Sequence, residues 1–419
     1  MHQYKILLDS ARWECSPNLI TCSRLHDYFV ANGHTIVQEL TDSDYIIINS
    51  CGVTDRGKNR TLNIVRKYIE QKKDDTTILL FGCLIDIEPQ VVKDLNVITI
   101  GLKDSQRLDA LFSRSKLFRE IQPFCDDTLR TQLVRGKHST AVTPTTDPLK
   151  IALLDLHPFL FSFPLVMFFP QARKRFHQIR NRFTNTMYVE ISKGCTGRCN
   201  YCLVRKAKGT VRSREIPEIL SDIERLYDPS KDLYLVADDC GCYGVDKGSS
   251  IIELLDAIYG RFPDIRLKLN YIDPRYLLKH SEDFLRIFGS MHITSTMIPL
   301  QSGSQKVLKQ MNRDYDAAEI LKFINKIRTV SPSTFISSHF IVGHPGETWN
   351  EYRRTLAAAR FFDYPAPFSY SNNKGTASAA MKNQVPRSIC FLRYAFFILF
   401  LNVIVLFRIA DASKTRRIK

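Results

Sequence analysis

Ten residues near the middle of the chain, Lys193–Cys202 (KGCTGRCNYC), carry three cysteines with the spacing CxxxCxxC. Three thiolates on one short loop can each ligate one iron of a cubane 4Fe–4S cluster, which leaves the fourth iron without a protein ligand. A small molecule can bind at such an open iron. Zinc is the alternative, but zinc sites usually repeat a CxxC pair, and this chain has no second pair. We therefore expect Cys195, Cys199 and Cys202 to be cluster ligands and the rest of the chain to be their scaffold.

Six stretches, in this order, resemble the radical S-adenosylmethionine methylthiotransferases, a family best known for modifying tRNA. They are VEISKGCTGRCNYC (189–202), KGTVRSR (208–214), PLQSGS (299–304), MNR (311–313), IVGHPGET (341–348) and QVP (384–386). The resemblance implies that the open iron binds the amino and carboxylate groups of S-adenosylmethionine, which is cleaved to a 5′-deoxyadenosyl radical. It also places Tyr201, the aromatic residue before the last cysteine, in the cofactor site.

Three further cysteines fall near the ends of predicted strands. Cys51 and Cys83 directly follow strands, and Cys15 lies in the turn beyond the first one. In a parallel sheet these ends share one edge, so the thiols can converge there. The alternative is that they are small buried hydrophobic residues, as free cysteine often is. The family resemblance implies a second 4Fe–4S cluster on these three cysteines, although ARWECSPN, the context of Cys15, departs from the usual family pattern.

Composition sets broad limits on the protein. A chain of 419 residues with 44% apolar content is long enough for two or three packed domains. Its formal charge of +16 suggests a polyanionic partner, although basic surface also confers solubility. Eleven cysteines in a long chain do not form a disulfide framework, and MHQYKILLDS at the start is unlike a secretion signal. The expected location is the cytoplasm.

The predicted fold is α/β, with an N-terminal parallel sheet domain, a radical S-adenosylmethionine partial (β/α)6 barrel and an apolar C-terminal helix. The N-terminal domain, 1–112, alternates strands with helices. The predicted strands are Tyr4–Leu8, Tyr45–Asn49 and Ile78–Phe81, and the predicted helices are Leu19–Asn32 and Asp55–Lys72.

A linker is predicted over 113–186. Asp126–Asp147 is rich in Thr, Ser and charged residues and lacks apolar periodicity. Leu156–Pro170 is apolar but contains three prolines, which makes it too short and too interrupted for a confident membrane span. Five basic residues follow it: Arg173, Lys174, Arg175, Arg180 and Arg182. We favour an apolar strap packed on the barrel with a solvated basic flank, and docking on a membrane surface or on RNA is the alternative.

The barrel is predicted over 187–386, where strands and helices alternate. The predicted strands are Met187–Ser192, Leu233–Ala237, Arg266–Tyr271, His292–Ile298, Thr334–Ile341 and Pro367–Tyr370. The predicted helices are Glu215–Tyr227, Ser249–Tyr259, Asp316–Thr329 and Trp349–Phe361. Barrel chemistry takes place at the carboxyl ends of strands, and the Cys195 loop follows the first strand as this rule requires.

Polar residues after other strands are candidate contacts for S-adenosylmethionine. They are Arg212, Arg214, Asp238, Asp239, Gln301 and Ser302. A carboxylate can accept a hydrogen bond from the ribose or the amino group, and a guanidinium can pair with a carboxylate or phosphate. A solvated turn is the alternative for the two aspartates. Gly343, Pro345 and Gly346 predict a tight turn with close backbone approach to a ligand.

The remaining histidines and cysteines of interest are assigned structural roles. His339 and His344 are read as neutral packed imidazoles, with general base as the alternative. Cys240 and Cys242 lie near the predicted cavity and are read as small fillers, because the family does not use cysteines there, with additional ligands as the alternative. Cys22, Cys125 and Cys390 carry no functional assignment, and no residue is assigned as a catalytic acid or base.

The C-terminal part, 387–419, departs most from the family. The family normally continues into a small all-β RNA-binding domain, whereas here Phe391–Ile409 is strongly apolar and basic residues follow it. Tyr394–Phe407 is 14 residues long, short of the roughly 20 that a membrane span needs. A membrane hairpin, an interfacial helix and a self-associating helix are the alternatives left open.

The resulting hypothesis is a two-cluster methylthiotransferase that acts on a tRNA nucleoside, a hypermodified adenosine near the anticodon. S-adenosylmethionine would serve both as methyl donor and as radical source. The expected partners are tRNA, an electron donor such as flavodoxin or ferredoxin, and a sulfur source. The alternatives are the same chemistry on a ribosomal-protein residue or small metabolite, and a non-catalytic membrane-associated iron–sulfur protein.

Overall fold

A computed structural model describes residues 3–13, 15–113, 115–126, 129, 133, 185–269 and 271–416, with side chains up to 401 in the last helix. The chain forms two compact units. Of the described residues, the first unit contains those within Met1–Pro144, Met187–Arg198 and Cys202–Arg261, and the second contains those within Thr145–Thr186, Cys199–Tyr201 and Phe262–Lys419. The predicted domain boundaries at 112, 186 and 386 stay predictions.

The N-terminal part of the first unit is a five-stranded sheet in the order β2-β1-β3-β4-β5, and all its pairs are parallel. Its strands are β1 (Lys5–Ser10), β2 (Thr35–Val37), β3 (Tyr45–Ser50), β4 (Thr77–Gly82) and β5 (Ile98–Ile100). Its helices are α1 (Ser16–Ala31), α2 (Asp55–Gln71), α3 (Cys83–Ile87) and α4 (Arg107–Phe112). The three predicted strands and two predicted helices are confirmed, and the short β2 and β5 were not predicted.

Both faces of this sheet are covered, because successive strand residues point to opposite sides. Ile6 and Leu8 pack with Leu25 of α1, whereas Leu7 packs with Val65 of α2. Strands buried on both faces read as continuous apolar runs, which is the pattern of YIIINS and TILLFG. The sheet is therefore a three-layer α/β scaffold whose strand ends meet at one edge.

The remaining strands of the first unit are β6 (Phe124–Cys125), β7 (Thr186–Glu190), β8 (Ser192–Lys193), β9 (Arg212–Ser213) and β10 (Asp232–Val236). Its remaining helices are α5 (Val204–Lys208), α6 (Ile216–Leu226) and α7 (Ile251–Arg261). β6 pairs antiparallel with β7. The predicted linker, 113–186, thus contains an ordered strand, β6, while its apolar run and basic flank lie outside the described residues.

The second unit contains four parallel strands in the order β14-β13-β12-β11. They are β11 (Arg266–Leu269), β12 (Ile293–Met297), β13 (Phe335–Val342) and β14 (Tyr364–Ser369). The helices are α8 (Pro274–Lys279), α9 (Ser281–Ser290), α10 (Gln305–Gln310), α11 (Ala317–Val330), α12 (Trp349–Ala359) and α13 (Arg387–Arg416). All six strands predicted over 187–386 are present as β7 and β10 to β14, and they alternate with helices as in a radical S-adenosylmethionine α/β domain.

The C-terminal helix α13 docks through a buried ion pair. Arg393 donates to the carboxylate of Glu347 at 2.8 Å and to its carbonyl at 3.0 Å. One turn earlier, Cys390 lies against Gly343, where an added Cβ would come within 2.2 Å of the Cys390 sulfur. Within the described residues, we find no helix with the length and apolar character needed to cross a bilayer.

Candidate functional site

The backbone around the first cysteine of the loop is tightly constrained. β8 pairs antiparallel with β9, so that Lys193 lies opposite Arg212. Gly194 follows with a φ of +80°, and a Cβ on it would lie 2.2 Å from the carbonyl oxygen of Thr210. Only glycine fits this position without displacing the backbone. The KGTVRSR stretch therefore forms the support on which the cysteine loop begins.

A buried ion pair between Asp238 and Lys208 fixes the backbone at Gly194. The Asp238 carboxylate accepts the Gly194 amide at 2.9 Å and the Lys208 ammonium at 2.6 Å. Burial alone lowers the pKa of Lys208, but the Asp238 carboxylate raises it above its usual value. Asp238 was predicted to contact S-adenosylmethionine. In the structure it positions the loop backbone, and its contact with S-adenosylmethionine stays a prediction.

The middle of the loop, Cys199–Tyr201, is held by residues of the second unit. The Asn200 amide donates to the Met311 carbonyl at 3.1 Å, and the Ser378 amide donates to the Asn200 carbonyl at 3.0 Å. Its side-chain amide also donates to the Gln310 carbonyl. Met311 belongs to the MNR stretch, which is far away in the sequence. That stretch thus orients the cysteine loop.

Tyr201 is oriented by a buried arginine. Arg313 donates to the hydroxyls of Tyr201 at 3.1 Å and Tyr315 at 3.2 Å, and to the Pro299 carbonyl at 3.1 Å. Asp273 lies 3.7 Å from the same guanidinium. Burial alone raises the pKa of Asp273, but Arg313 and then Arg275 bring it below its usual value. A buried guanidinium is tolerated here because its donors have oxygen partners.

His344 is a packed residue next to this segment. It is fully buried, its Nδ1 lies 3.1 Å from the Pro345 carbonyl oxygen, and its Nε2 lies 3.4 Å from the side-chain oxygen of Asn200. Burial lowers the pKa of His344 to about 4. It is therefore neutral at physiological pH, as the packed interpretation expects. His339, on β13, packs between the rings of Tyr271 and Phe368.

The three N-terminal cysteines come from three separate elements. Cys15 caps the start of α1, Cys51 directly follows β3, and Cys83 begins α3. The hydrogen bond to Cys51 and then burial raise the pKa of the Cys83 thiol well above its usual range. Cys15 is near enough to Cys51 for that thiol to contribute to raising its pKa as well. The sheet topology thus brings dispersed cysteines together at one edge.

The Lys208 ammonium also acts on this group. Burial raises the pKa of Cys15, and the charge of Lys208 opposes that effect. α5, which ends at Lys208, packs Leu203 and Ala207 against Cys83 and Ile87 of α3. A cation placed this way favours the thiolate form of the cysteines, which is the form that binds metal.

The other predicted contacts for S-adenosylmethionine behave differently from one another. Gln301, after β12, has a φ of +66° and is buried, and among the described residues its Oε1 lacks a hydrogen-bond partner. Ser302, in contrast, shares a hydrogen bond with Thr355 at 3.1 Å. An unsatisfied buried acceptor on strained backbone fits a ligand contact, whereas the serine fits a packing role.

The arginines and the second aspartate are also engaged by protein groups. Arg214 donates to Asp222 at 2.6 Å and to the Glu190 carbonyl at 2.8 Å, which makes it a buried structural ion pair. Arg212 is exposed on β9. Asp239 accepts the Gly241 amide at 2.9 Å and lies 4.0 Å from the Cys195 sulfur.

The turn after β13 has the tight geometry that the sequence predicts, but its glycines face protein. Gly343 meets Cys390, and the Gly346 amide donates to the Asn383 carbonyl at 2.8 Å. Both glycines thus approach other parts of the same chain closely, and a close approach to a ligand stays a prediction.

Two family models match the chain. Residues 189–359 match the model described as "Radical SAM superfamily", and residues 10–101 match the one described as "Uncharacterized protein family UPF0004". A zebrafish (Danio rerio) relative, named threonylcarbamoyladenosine tRNA methylthiotransferase, is 26% identical over 90% of this chain and 62% of its own length. The two model matches and the names of such relatives together support assignment to the radical S-adenosylmethionine methylthiotransferase family.

Other members of this family have a different named substrate. A Pseudothermotoga lettingae relative, named ribosomal protein uS12 methylthiotransferase RimO, is 28% identical over 92% of this chain and 80% of its own length. Among solved structures, the radical S-adenosylmethionine methyltransferase TsrM from Kitasatospora setae is similar in fold, with a TM-score of 0.50 and 12% identity. It covers 88% of this chain, and this chain covers 75% of it.

Members of this family use two 4Fe–4S clusters and S-adenosylmethionine. The donor sets of the chain fit these groups, since each consists of three thiols and cluster ligation by three thiolates leaves one iron open. The positive charge of Lys208 near Cys15 and the unsatisfied Oε1 of Gln301 are further features that suit an anionic cluster and a polar cosubstrate.

Sequence reasoning missed several residues that shape the site. Lys208 and Arg313 belong to the KGTVRSR and MNR stretches that carry the family resemblance, so these motifs were the sequence signal that could have identified them. Asp273 has no motif around it, and its role depends on a contact across 40 positions. Cys242 was read as a filler, yet its sulfur lies within 4.8 Å of Cys195.

Proposed function

We propose that the protein inserts a methylthio group at an unactivated C–H bond of a tRNA nucleoside, namely a hypermodified adenosine near the anticodon. The observation that carries this proposal is the meeting of Cys15, Cys51 and Cys83 at one sheet edge, in addition to the CxxxCxxC loop. A radical enzyme without sulfur insertion needs only the loop. A second set of three thiols is what a two-cluster methylthiotransferase requires.

Each set of residues has a defined task in this proposal. Cys195, Cys199 and Cys202 would hold one cluster, and Cys15, Cys51 and Cys83 would hold the other. When bound, the clusters and S-adenosylmethionine supply hydrogen abstraction, sulfur and the methyl group.

The remaining side chains bind and orient. Arg313 fixes the Tyr201 ring through its hydroxyl, so that this ring borders the cofactor in one orientation. Asp238 fixes Gly194 at the start of the loop. Gln301 offers its free Oε1 to a donor group of S-adenosylmethionine. Arg212, Arg214, Asp239 and Ser302 remain weaker candidates, because each already has a protein partner, including the exposed Arg212, which donates to the Lys208 carbonyl at 3.5 Å.

A tRNA substrate is supported by charge and by one group of relatives. The formal charge of +16 favours binding to a phosphate backbone. The zebrafish relative is named for a modified adenosine in tRNA, but the chain spans only 62% of its length. The basic flank Arg173–Arg182, for which docking on RNA is the alternative to a solvated surface, lies outside the described residues.

A residue of ribosomal protein uS12 is the second candidate substrate. The Pseudothermotoga lettingae relative is named for that reaction, and the chain covers 80% of it. The same cysteine sets serve both proposals, with S-adenosylmethionine at the open iron in each, so the proposals differ only in which substrate is presented to the radical.

The decisive experiment supplies both substrates to one enzyme. Anaerobically reconstituted protein is incubated with a reductant, a sulfide source, S-adenosylmethionine, and either hypomodified tRNA or uS12. Flavodoxin or ferredoxin is the proposed physiological reductant. We expect a methylthio nucleoside in digests of the tRNA by mass spectrometry. A modified uS12 peptide with unmodified tRNA would overturn the tRNA assignment. Absence of any 5′-deoxyadenosine would instead favour a non-catalytic iron–sulfur protein.

A further inference from the structure

A third group of metal-binding side chains lies beside the cysteine loop. Cys195 follows β8, whereas Asp239 and Cys242 belong to the turn after β10, and their ligand atoms all lie within 4.8 Å of one another. Asp239 and Cys242 are buried, with 4% and 0% of their surface exposed. The Cys242 thiol donates to the Asp239 carbonyl at 3.2 Å, which keeps it on the same side of the turn as Cys195.

This arrangement suits a thiophilic divalent cation. Zinc binds cysteine sulfur at about 2.3 Å and carboxylate oxygen at about 2.0–2.2 Å, so two tetrahedral sulfur ligands stand about 3.8 Å apart. The sulfur atoms and the carboxylate of this group need shifts of about 1 Å or less to reach such distances. Two thiolates and one carboxylate carry three negative charges, which more than balance a divalent cation, and a water is the fourth ligand.

A neighbouring cysteine provides an internal contrast. Cys240 is just as buried as Cys242 and lies two positions away in the same turn. Its thiol donates to the Leu235 carbonyl at 3.7 Å, and it is not part of the three-residue group. A cysteine can therefore be buried in this turn without belonging to the metal-binding group, which makes Cys240 a control for Cys242.

We propose that, in the cluster-free protein, Cys195, Asp239 and Cys242 bind one Zn²⁺ or a similar thiophilic divalent cation. Binding releases the two thiol protons to solvent and involves no change of oxidation state. Because Cys195 belongs to both ligand sets, the bound cation and the loop cluster exclude each other. The mutual exclusion of cation and cluster rests on the proposed function, whereas metal binding itself does not. The site thus acts as a metal-dependent block on cluster assembly.

The binding test uses the full chain with the other candidate ligands removed. Cys15, Cys51, Cys83, Cys199 and Cys202 are replaced with Ser, and circular dichroism checks the fold. Co²⁺ then serves as a spectroscopic probe, and Zn²⁺ is counted by metal analysis. We expect one ion per chain and thiolate-to-cobalt charge transfer. Adding Cys242→Ser should weaken binding more than about 100-fold, since even outer-shell changes cost 10–100-fold. Adding Cys240→Ser should leave affinity unchanged. Equal affinities in these two variants would overturn the site.

A second measurement does not depend on the multiple variant. Cluster reconstitution is followed in the otherwise unchanged chain with and without prior Zn²⁺. We expect Zn²⁺ to slow reconstitution in the wild type and in Cys240→Ser, and to slow it less in Cys242→Ser. Equal slowing in the two single variants contradicts the proposed site. If Zn²⁺ binds in the first test but slows none of the three proteins, the metal site stands and the assignment of Cys195 to a cluster fails.

Discussion

The two proposed cluster sites are built in opposite ways. Cys15, Cys51 and Cys83 come from three elements spread over 69 positions, and parallel strand order alone brings them to one edge. Cys195, Cys199 and Cys202 lie within eight consecutive positions, so chain connectivity already keeps them close. The first set is mostly buried and its thiols influence each other, whereas Cys202 is exposed.

The two sites therefore depend on different parts of the protein. The N-terminal set exists only when the five-stranded sheet is folded. The loop set exists in any conformation, but its backbone is fixed from outside, by Asp238 at Gly194 and by Met311 at Asn200. We infer that the first site is sensitive to fold stability and the second to a few specific contacts.

Removing the loop thiols should have the largest effect. In Cys195→Ala/Cys199→Ala/Cys202→Ala, formation of 5′-deoxyadenosine should fall below detection, because the loop no longer has any thiolate to hold its cluster. Chromatography of anaerobic reaction mixtures measures this product. Cys240→Ser is the matched control and should retain activity. Undiminished product in the triple variant would remove the basis of the proposed function.

Removing the N-terminal thiols should separate the two sites. In Cys15→Ala/Cys51→Ala/Cys83→Ala, iron per chain should fall to about half while reductive cleavage of S-adenosylmethionine persists and sulfur insertion stops. Iron analysis and product assays on the same preparation test both parts. Cys22→Ser, a buried cysteine of the same sheet domain, should keep full iron content. Equal iron content in both variants would mean that Cys15, Cys51 and Cys83 are packing residues and do not hold a cluster.

Lys208 tests whether the sites share a support. Lys208→Met leaves the mostly buried Asp238 carboxylate without its cation, and loss of one partner of a buried pair costs about 3 kcal/mol. We expect this loss in the free energy of unfolding of the cluster-free protein, measured by urea denaturation. Lys208→Arg keeps the charge and should recover most of it. A Met variant as stable as the wild type would show that Lys208 supports neither site.

His344 gives a smaller effect that depends on pH. Its native pKa of about 4 lies below the ordinary value, so the unfolded chain binds more protons between these pH values and stability falls as pH drops through that window. From pH 7 to pH 5 the loss attributable to this residue is about 2 kcal/mol. His344→Phe should therefore show a shallower loss of stability over this interval, by thermal or urea unfolding. Parallel pH profiles for the two proteins would refute burial of a neutral imidazole.

Much of the fold was accessible from the sequence because its patterns are local. Apolar runs such as YIIINS identify buried parallel strands, and the CxxxCxxC spacing identifies a ligand set without any structure. β2 and β5 were missed because they have three residues each, too few for a pattern to repeat.

The site was less accessible because its contacts connect distant positions. Asp238 and Arg214 have the chemistry of cosubstrate contacts, but Lys208 and Asp222 already occupy them, and no sequence pattern reports that pairing. Cys242 looked like a filler for the same reason. Composition tells which groups are reactive, and only the fold tells which of them are already engaged.

The contact between Gly343 and Cys390 links the histories of two positions. Any other residue at 343 would meet a positive φ of +81° and the Cys390 sulfur at once. Position 343 therefore cannot change from glycine, whereas position 390 can change only to residues no larger than cysteine. Any substitution at 343, and any substitution at 390 by a residue larger than cysteine, should therefore be purged. In a saturation library neither position would tolerate a bulky residue, and the docking of the helix that begins at Arg387 would be preserved.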